Sequence, residues 1–404
     1  MAEKEKVSVI IPTLRAEDDL LSCLVSIESD LKAPPHEVIV VFNGPMPADI
    51  ELAKHHATAR AVQAQTNLGF AAACNLGARE AIGDTYVFLN DDMTVRQGWV
   101  RNLVSAMESG ESSAVGGRIL SADGKKVDFA GGSVNLLGWG FQMGHGEPAG
   151  EDDFVAHQRL PFACGGNFAV RAKTFDEVGG FDGDYFAFYE DVDLGWRLRL
   201  MGHEIGYTDD AVVLHNVGKT GGLIDPALKW FLQERNALQT IIKNYSDEVL
   251  EQVLPIAFAL VGVRATVLSG LDGGDIAHDH AWREWVLGRE IPPIEEPHGV
   301  WRGIMDQVKE SVKSGMKASR KASLPHGYLP LDSRGVAGLM ALEWCLDNWD
   351  VLMEKRAKVQ ATRVKSDREI LPIFDDPLRP VLGHPREVEA MKPLEGVLNE
   401  LMRG

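Results

Sequence analysis

Hydrophobic positions along the first half of the chain follow two alternating patterns. Val7–Ile11 is an unbroken, largely β-branched run stopped by Pro12, which predicts a strand leading into a loop. Ala16–Glu28 carries Leu20, Leu21, Leu24 and Ile27 at helical spacing, and Val38–Phe42 is a second buried strand closed by Asn43-Gly44-Pro45. Leu68 to Ile82 reads as a helix entered through a turn at Gly69, and Tyr86–Leu89 as a third strand. This β-α-β-α-β rhythm predicts an α/β fold, a mostly parallel sheet with helices on both faces. Ligands of such sheets sit outside the carboxyl ends of the strands, so chemistry is expected in the loops after Ile11, Phe42 and Leu89.

Between about Gly110 and Pro161 the chain is rich in glycine and short strand-like pieces, which predicts hairpins. Phe168–Arg171 and Ala211–Leu214 read as further strands, and Asp191–Met201 as a helix stopped by Gly202. The character changes near Gly221-Gly222. Asp225 followed by Pro226 is a helix start, a capping side chain and then a proline in the first turn, and helical spacing prevails beyond it. The expected organisation is an α/β domain over residues 1–222 and a mainly α-helical C-terminal domain over 223–404.

Composition narrows the classes. A chain of 404 residues with 45% hydrophobic and 25% charged residues is ordinary for a globular protein. The four cysteines (Cys23, Cys74, Cys164, Cys345) lack the paired spacing of a disulfide framework or zinc site. The formal net charge of −18 argues against nucleic acid as a partner, while leaving room for an anionic ligand neutralised by a metal ion. The charged N-terminus resembles no signal peptide, and the apolar run Val253 to Val263 is shorter than the roughly 20 residues a membrane span needs. A cytoplasmic protein is expected.

Three segments carry candidate chemistry. The strand Tyr86–Leu89 ends in Asn90-Asp91-Asp92, carboxylates of the kind that hold a hard divalent cation beside phosphates. A solvated turn would read the same way. The aromatic approach Phe188-Tyr189 runs into Glu190, Asp191 and Asp193, at a predicted helix start whose dipole favours anions; a carboxylate there can serve as a general base. Arg197 and Arg199 follow, placed to pair with acids or a diphosphate or to line a solvated face. The third segment is a strand ending in His215, a structural histidine or a metal ligand.

Taken in order, Val9-Ile10-Ile11-Pro12-Thr13, Asn67-Leu68-Gly69-Phe70-Ala71 with Asn75-Leu76-Gly77, Leu89-Asn90-Asp91-Asp92, Gly165-Gly166-Asn167, Gly180-Phe181-Asp182, Glu190-Asp191-Val192-Asp193-Leu194 with Trp196-Arg197, and His215 resemble family 2 glycosyltransferases. The likeness covers about residues 6–220 and is greatest to the rhamnosyltransferase-type branch that builds bacterial surface polysaccharides. Gln233-Glu234-Arg235-Asn236-Ala237 with Lys243-Asn244-Tyr245 is similar to the helix that often follows that catalytic domain.

The resemblance implies a GT-A fold, Mg2+ or Mn2+ as cofactor, and transfer of a sugar with inversion from a dTDP- or UDP-linked donor to a saccharide or lipid-linked saccharide. It makes Asp92 and His215 the metal ligands, Asp191 the base, and Glu190 its partner in orienting base or acceptor. Pro12, Thr13, Arg15, Asn43, Asn67, Gly69, Asn75, Asn90, Asp91, Gly165, Gly166, Asn167 and Arg197 would then bind the nucleotide-sugar. One position departs from the family. Val41-Phe42-Asn43 stands where relatives have Val-Asp-Asn, so base recognition would fall to Asn43, Glu17 or main-chain groups. A non-catalytic nucleotide-sugar-binding protein is the rival reading, against which Asp92, Glu190, Asp191 and His215 all stand. A sugar nucleotidyltransferase would show a glycine-rich basic loop, which Pro12-Thr13-Leu14-Arg15-Ala16 is not.

In the C-terminal region Lys309, Lys313, Lys317 and Lys321 recur every fourth residue. Such a basic helix face suits anionic lipid and would place the protein peripherally at the inner face of the cell membrane, although a solvated face has the same pattern. The tryptophans of this region need burial, which makes a homodimer contact a further expectation.

Overall fold

The structure, a computed structural model, describes residues 6–14, 18–45, 59–150, 159–216, 224–271 and 331–403. Arg15, Glu17 and the lysines at 309, 313, 317 and 321 lie outside them.

A nine-stranded mixed sheet organises the fold, with strand order β3-β2-β1-β4-β10-β6-β11-β5 and β7 paired to β6. The first four of these are β3 (Ala59–Ala64), β2 (His36–Asn43), β1 (Val7–Thr13) and β4 (Thr85–Leu89), all parallel. The fifth, β10 (Asn167–Arg171), runs antiparallel to β4 and to β6 (Ala114–Ser121). Beyond it β11 (Ile205–His215) is parallel to β6, and the short β5 (Met93–Val95) and β7 (Val127–Phe129) pair antiparallel to β11 and β6. The expected parallel arrangement therefore holds in the first half and gives way to a mixed second half. The glycine-rich stretch also forms the hairpin of β8 (Gly132–Val134) and β9 (Gly140–Gln142).

Alternation along the strands decides what each face buries. Val7, Val9 and Ile11 of β1 and Val38, Val40 and Phe42 of β2 point to one side, against α1 (Asp18–Glu28). Ile10, Ile39 and Val41 point to the other, under α2 (Gly69–Glu80). Phe42 is only 1% exposed. It occupies core rather than standing free to meet a nucleotide base. β1 continues through Pro12 to Thr13, although a proline is expected to end a strand. The ladder to β4 stops at Ile10, so no hydrogen bond from Pro12 is needed on that side.

The first core receives α3 (Trp99–Ser109) and then the helices that follow the sheet. After the short α4 (Ala172–Glu177), α5 (Glu190–Leu200) lies between layers, with Val192, Trp196 and Leu200 in one core and Leu194 and Leu198 in the other. α6 (Pro226–Asn244) begins at the expected Asp225 cap, whose side chain accepts from the Ala227 and Leu228 amides. α7 (Asp247–Leu268), α8 (Ser333–Asp347) and α9 (Trp349–Thr362) pack around α6. A short α10 (Asp367–Ile370) precedes α11 (Pro385–Arg403), which packs on α7.

α7 outruns the apolar stretch read from the sequence. Its 22 residues are long and apolar enough to cross a membrane by length and composition, and 50% of the most apolar window is buried inside the protein. Its Arg264, 1% exposed, pairs there with Glu234 of α6.

Candidate active site

A cleft of about 680 Å³ opens at the carboxyl ends of β1, β2 and β4, the place expected for an α/β sheet. Pro12, Thr13, Asn43, Asn67, Gly69, Asn90, Asp91, Asp92, Gly165, Gly166, Glu190, Asp191 and His215 all line it. Asn75, Asn167 and Arg197 do not. Asn75 exchanges hydrogen bonds with the Phe181 backbone at 2.7 and 3.0 Å, and Arg197 pairs with Asp193 at 2.8 Å. Asn167, fully buried, accepts from the Trp99 indole at 2.8 Å and donates to the Arg118 and Ala211 carbonyls.

Strand pairing assembles the acidic end. β5 pairs with β11 so that His215 lies opposite Met93, the residue after Asp92, and the Asn216 amide donates to the Asp92 carbonyl at 2.9 Å. His215 Nε2 stands 3.3 Å from Asp92 Oδ2, and its Nδ1 donates to Asp128 Oδ2 at 2.6 Å. Burial works to lower the His215 pKa, but the hydrogen bonds and charges of Asp128 and Asp92 outweigh it and raise it to about 9. Burial, opposed by a hydrogen bond from Thr13, lifts Asp91 to about 7.

Among the described residues no group of three or more His, Cys, Asp or Glu is spaced to enclose a metal ion. Asp92 and His215 nevertheless suit a cation shared with a phosphate ligand. Asp92 Oδ1 is buried without a hydrogen-bond partner, and Asp128 holds the far nitrogen of His215 as carboxylates do behind histidine ligands. Asp128 escaped the sequence reading. It is a polar residue between Val127 and Phe129, and only the pairing of β7 with β6 brings it beneath His215.

Around the turn after β2, Asn43 Oδ1 accepts from the Leu68 amide at 2.7 Å, and its Nδ2 donates to Asn67 Oδ1 and the Gly69 carbonyl. The side chain is thus engaged in shaping the loop that enters α2. Gly166 leaves room for Asn90, because a β-carbon there would come within 2.8 Å of the Asn90 amide group.

At the opposite wall Asp191 is the second residue of α5. Its Oδ2 accepts from the Gly165 amide at 3.1 Å and its Oδ1 from the Val192 amide at 2.9 Å. Burial raises the carboxyl to about 6 against those two hydrogen bonds. Glu190 is pushed well above the usual carboxylate range, by burial first and then by the Asp191 charge, and its Oε2 has no hydrogen-bond partner. Of the two, Asp191 is the one whose ionised form is supported by backbone amides, while Glu190 is held toward its neutral form.

Phe186, Phe188 and Tyr189, just before this pair, have φ of 64°, 66° and 64°. Each costs about 1–2 kcal/mol in a residue with a side chain. The same segment lines the cleft, together with Lys229 and Gln233 of α6 and Arg379, whose guanidinium lies 4.4 Å from the Phe141 ring centre.

Residues 8–179 match the family model described as Glycosyl transferase family 2. They are a family 2 glycosyltransferase domain. The match runs from β1 to just past α4, so Glu190, Asp191 and His215 follow the matched residues. Over 224 residues the chain is 30% identical to the O-antigen biosynthesis protein RfbC of Myxococcus xanthus, covering 52% of this chain and 17% of that protein. Over 213 residues it is 27% identical to the pre-mycofactocin glycosyltransferase of Mycobacterium tuberculosis, covering 52% of this chain and 42% of that one. A shorter stretch of 58 residues is 48% identical to the N-acetylglucosaminyl-diphospho-decaprenol L-rhamnosyltransferase of the same organism, 14% of this chain and 19% of that enzyme. The chain spans less than half the length of each of these relatives. Among solved structures, GalNAc-T7 with UDP, GalNAc and Mn2+ aligns with a TM-score of 0.48 at 15% identity, covering 63% of this chain and 51% of that one.

Proposed function

We propose that the chain transfers a sugar, rhamnose or another hexose, from a dTDP- or UDP-linked donor to a hydroxyl of a saccharide or lipid-linked saccharide, with inversion, in bacterial surface polysaccharide synthesis. The observation that carries this reading is Asp191. Its carboxylate is fixed by two backbone amides in the same cleft as Asp92 and His215.

Asp92 and His215 would hold Mg2+ or Mn2+, which when bound supplies positive charge against the diphosphate. The chain's own residues do the rest. Asp191 takes the proton of the acceptor hydroxyl as its oxygen bonds to the anomeric carbon, and the bond from that carbon to the diphosphate oxygen breaks. A placed base of this kind contributes about 10²–10⁴-fold. Burial of Glu190 disfavours a second negative charge beside Asp191. Phe70, Phe186 and Phe188 line the cleft and limit water, favouring transfer over hydrolysis of the donor. One displacement inverts the anomeric centre, whereas retention needs a carboxylate nucleophile against that carbon.

The division at residue 222 is kept as part of this proposal, with the helical region offering acceptor contacts through Lys229 and Arg379. The lysine series at 309–321 is proposed to meet anionic lipid. Vesicle co-sedimentation unchanged by reversing the four charges would dismiss that idea, and ultracentrifugation decides the homodimer.

The reading is tested by incubating the protein with dTDP-rhamnose, UDP-sugars and GDP-mannose, each with Mn2+, Mg2+ or EDTA. Nucleoside diphosphate release is followed with and without saccharide acceptors. Release from one donor, dependent on metal and accelerated by acceptor, is expected. Tight donor binding without release under any condition would favour a binding protein.

A further inference from the structure

The motif Gln233-Glu234-Arg235-Asn236-Ala237 has so far had no part in the chemistry. Beyond Gln233, which lines the cleft, Glu234 and Asn236 are 0% exposed and Arg235 8%, and Arg235 and Asn236 face the back of the segment that delivers the base. Arg235 Nη2 donates to the carbonyls of Asp184 at 2.9 Å and Tyr185 at 2.8 Å. Asn236 Nδ2 donates to the carbonyls of Tyr185, Ala187 and Phe188 at 3.1, 2.9 and 2.5 Å. Its Oδ1 accepts from Arg235 Nε and Gln239 Nε2 at 2.9 and 2.8 Å, which fixes the way the amide points. One turn further along α6, the Tyr185 hydroxyl meets Thr240 Oγ1 at 2.6 Å.

The segment held this way would not keep its shape alone. Phe186, Phe188 and Tyr189 all have positive φ, none of them glycine, and such residues persist only where surroundings over-determine them. The surroundings here are the buried amide of Asn236 behind and the Phe70 amide in front, which donates to the Phe186 carbonyl. Glu190 and Asp191 are the next two residues. The direction in which Asp191 meets the cleft is therefore set where this segment joins α5.

We propose that Asn236 is a positioning residue for sugar transfer. With Arg235 it locks Phe186–Tyr189 in the strained form that aims the Asp191 carboxylate. Asn236 does not line the cleft, so it acts through that segment alone. The proposal rests on Asp191 being the base of a transfer reaction.

The test compares wild type with Asn236→Ala and with the milder Gln239→Met, which removes one of the two donors that orient the amide and leaves Arg235 Nε, at a temperature where all are folded by circular dichroism. Donor affinity is measured by calorimetry and transfer by single turnover across pH. Donor affinity within about twofold of wild type is expected, with the transfer rate down about ten- to a hundredfold and the smaller loss in Gln239→Met. The acid inflection of the rate should also move down, as Asp191 becomes better solvated. An unchanged rate and inflection in folded variants would overturn the proposal, as would equal loss of donor affinity and rate, which marks a merely structural residue. Absence of transfer in the wild type would overturn the transferase reading, and this proposal with it. Normal wild-type transfer beside unaffected variants would overturn this proposal alone.

Discussion

His215 donates through Nδ1 to Asp128 while its Nε2 faces Asp92, so one hydrogen bond on the far side of the ring decides what the near side can do. With Asp128 in place, Nε2 is directed at the position where a cation would share Asp92. Replacing Asp128 by Asn keeps the shape but removes the charge that fixes the ring. Mn2+-dependent donor binding, read by calorimetry, should weaken about 10–100-fold. Equal affinity in the variant would show that His215 is oriented by other means or holds no ion.

Asp191 gives the reaction a pH signature. Burial raises its pKa, to about 6, so the base is ionised above that value and protonated below it. The rate of transfer should be flat near pH 7–8 and fall about tenfold per unit once the pH drops well below 6. Single-turnover rates with donor saturating at each pH read this directly. An inflection in the ordinary carboxylate range near 4 would mean that the base is a better solvated group.

Gly69 meets the aromatic segment at the entrance to α2. Its φ is +79°, and a β-carbon there would overlap the Phe186 carbonyl and ring. Gly69→Ala should cost about 1–2 kcal/mol from backbone conformation alone, with the overlap adding to it. Urea unfolding should show the loss, and donor affinity should fall as the turn held by Asn43 is displaced. Wild-type stability and affinity would show that the turn yields cheaply.

The pair Glu234–Arg264 joins α6 to α7 with both side chains 1% exposed. Glu234→Leu leaves Arg264 buried with Glu387 at 3.5 Å as its remaining acid. Breaking a buried pair from one side costs about 3–5 kcal/mol, and Glu387 should reduce that somewhat. Chemical denaturation measures it, and a change below about 1 kcal/mol would place the strength of this junction elsewhere.

Local pattern exposed much of this molecule. β1, β2 and β4 are continuous β-branched or aromatic runs, and the acids of α5 stand at a helix start, so the strand ends and the Glu190-Asp191 pair are legible without coordinates. β3 is not, because Ala59-Arg60-Ala61-Val62-Gln63-Ala64 is an edge strand of small and polar residues with little to bury. α3 does carry a signal, since Trp99, Val100, Leu103 and Met107 keep helical spacing. Asp128 and Asn236 lie beyond local pattern. Asp128 is placed by strands distant in sequence. Asn236 stands in a motif singled out by resemblance, but what it holds shows only in its hydrogen bonds to Tyr185, Ala187 and Phe188. Asn75, Asn167 and Arg197 show the converse, polar residues in site-like motifs whose hydrogen bonds go to the scaffold.

The most direct measurement separates binding from turnover in two variants. Donor affinity with and without Mn2+, and transfer to a saccharide acceptor, are compared for wild type, Asp92→Ala and Asp191→Asn. Metal-dependent donor binding should be lost in Asp92→Ala and kept in Asp191→Asn, while Asp191→Asn transfers at least about a hundredfold more slowly. Transfer by Asp191→Asn at the wild-type rate, or donor binding indifferent to both metal and Asp92, would contradict the assignment of base and donor site.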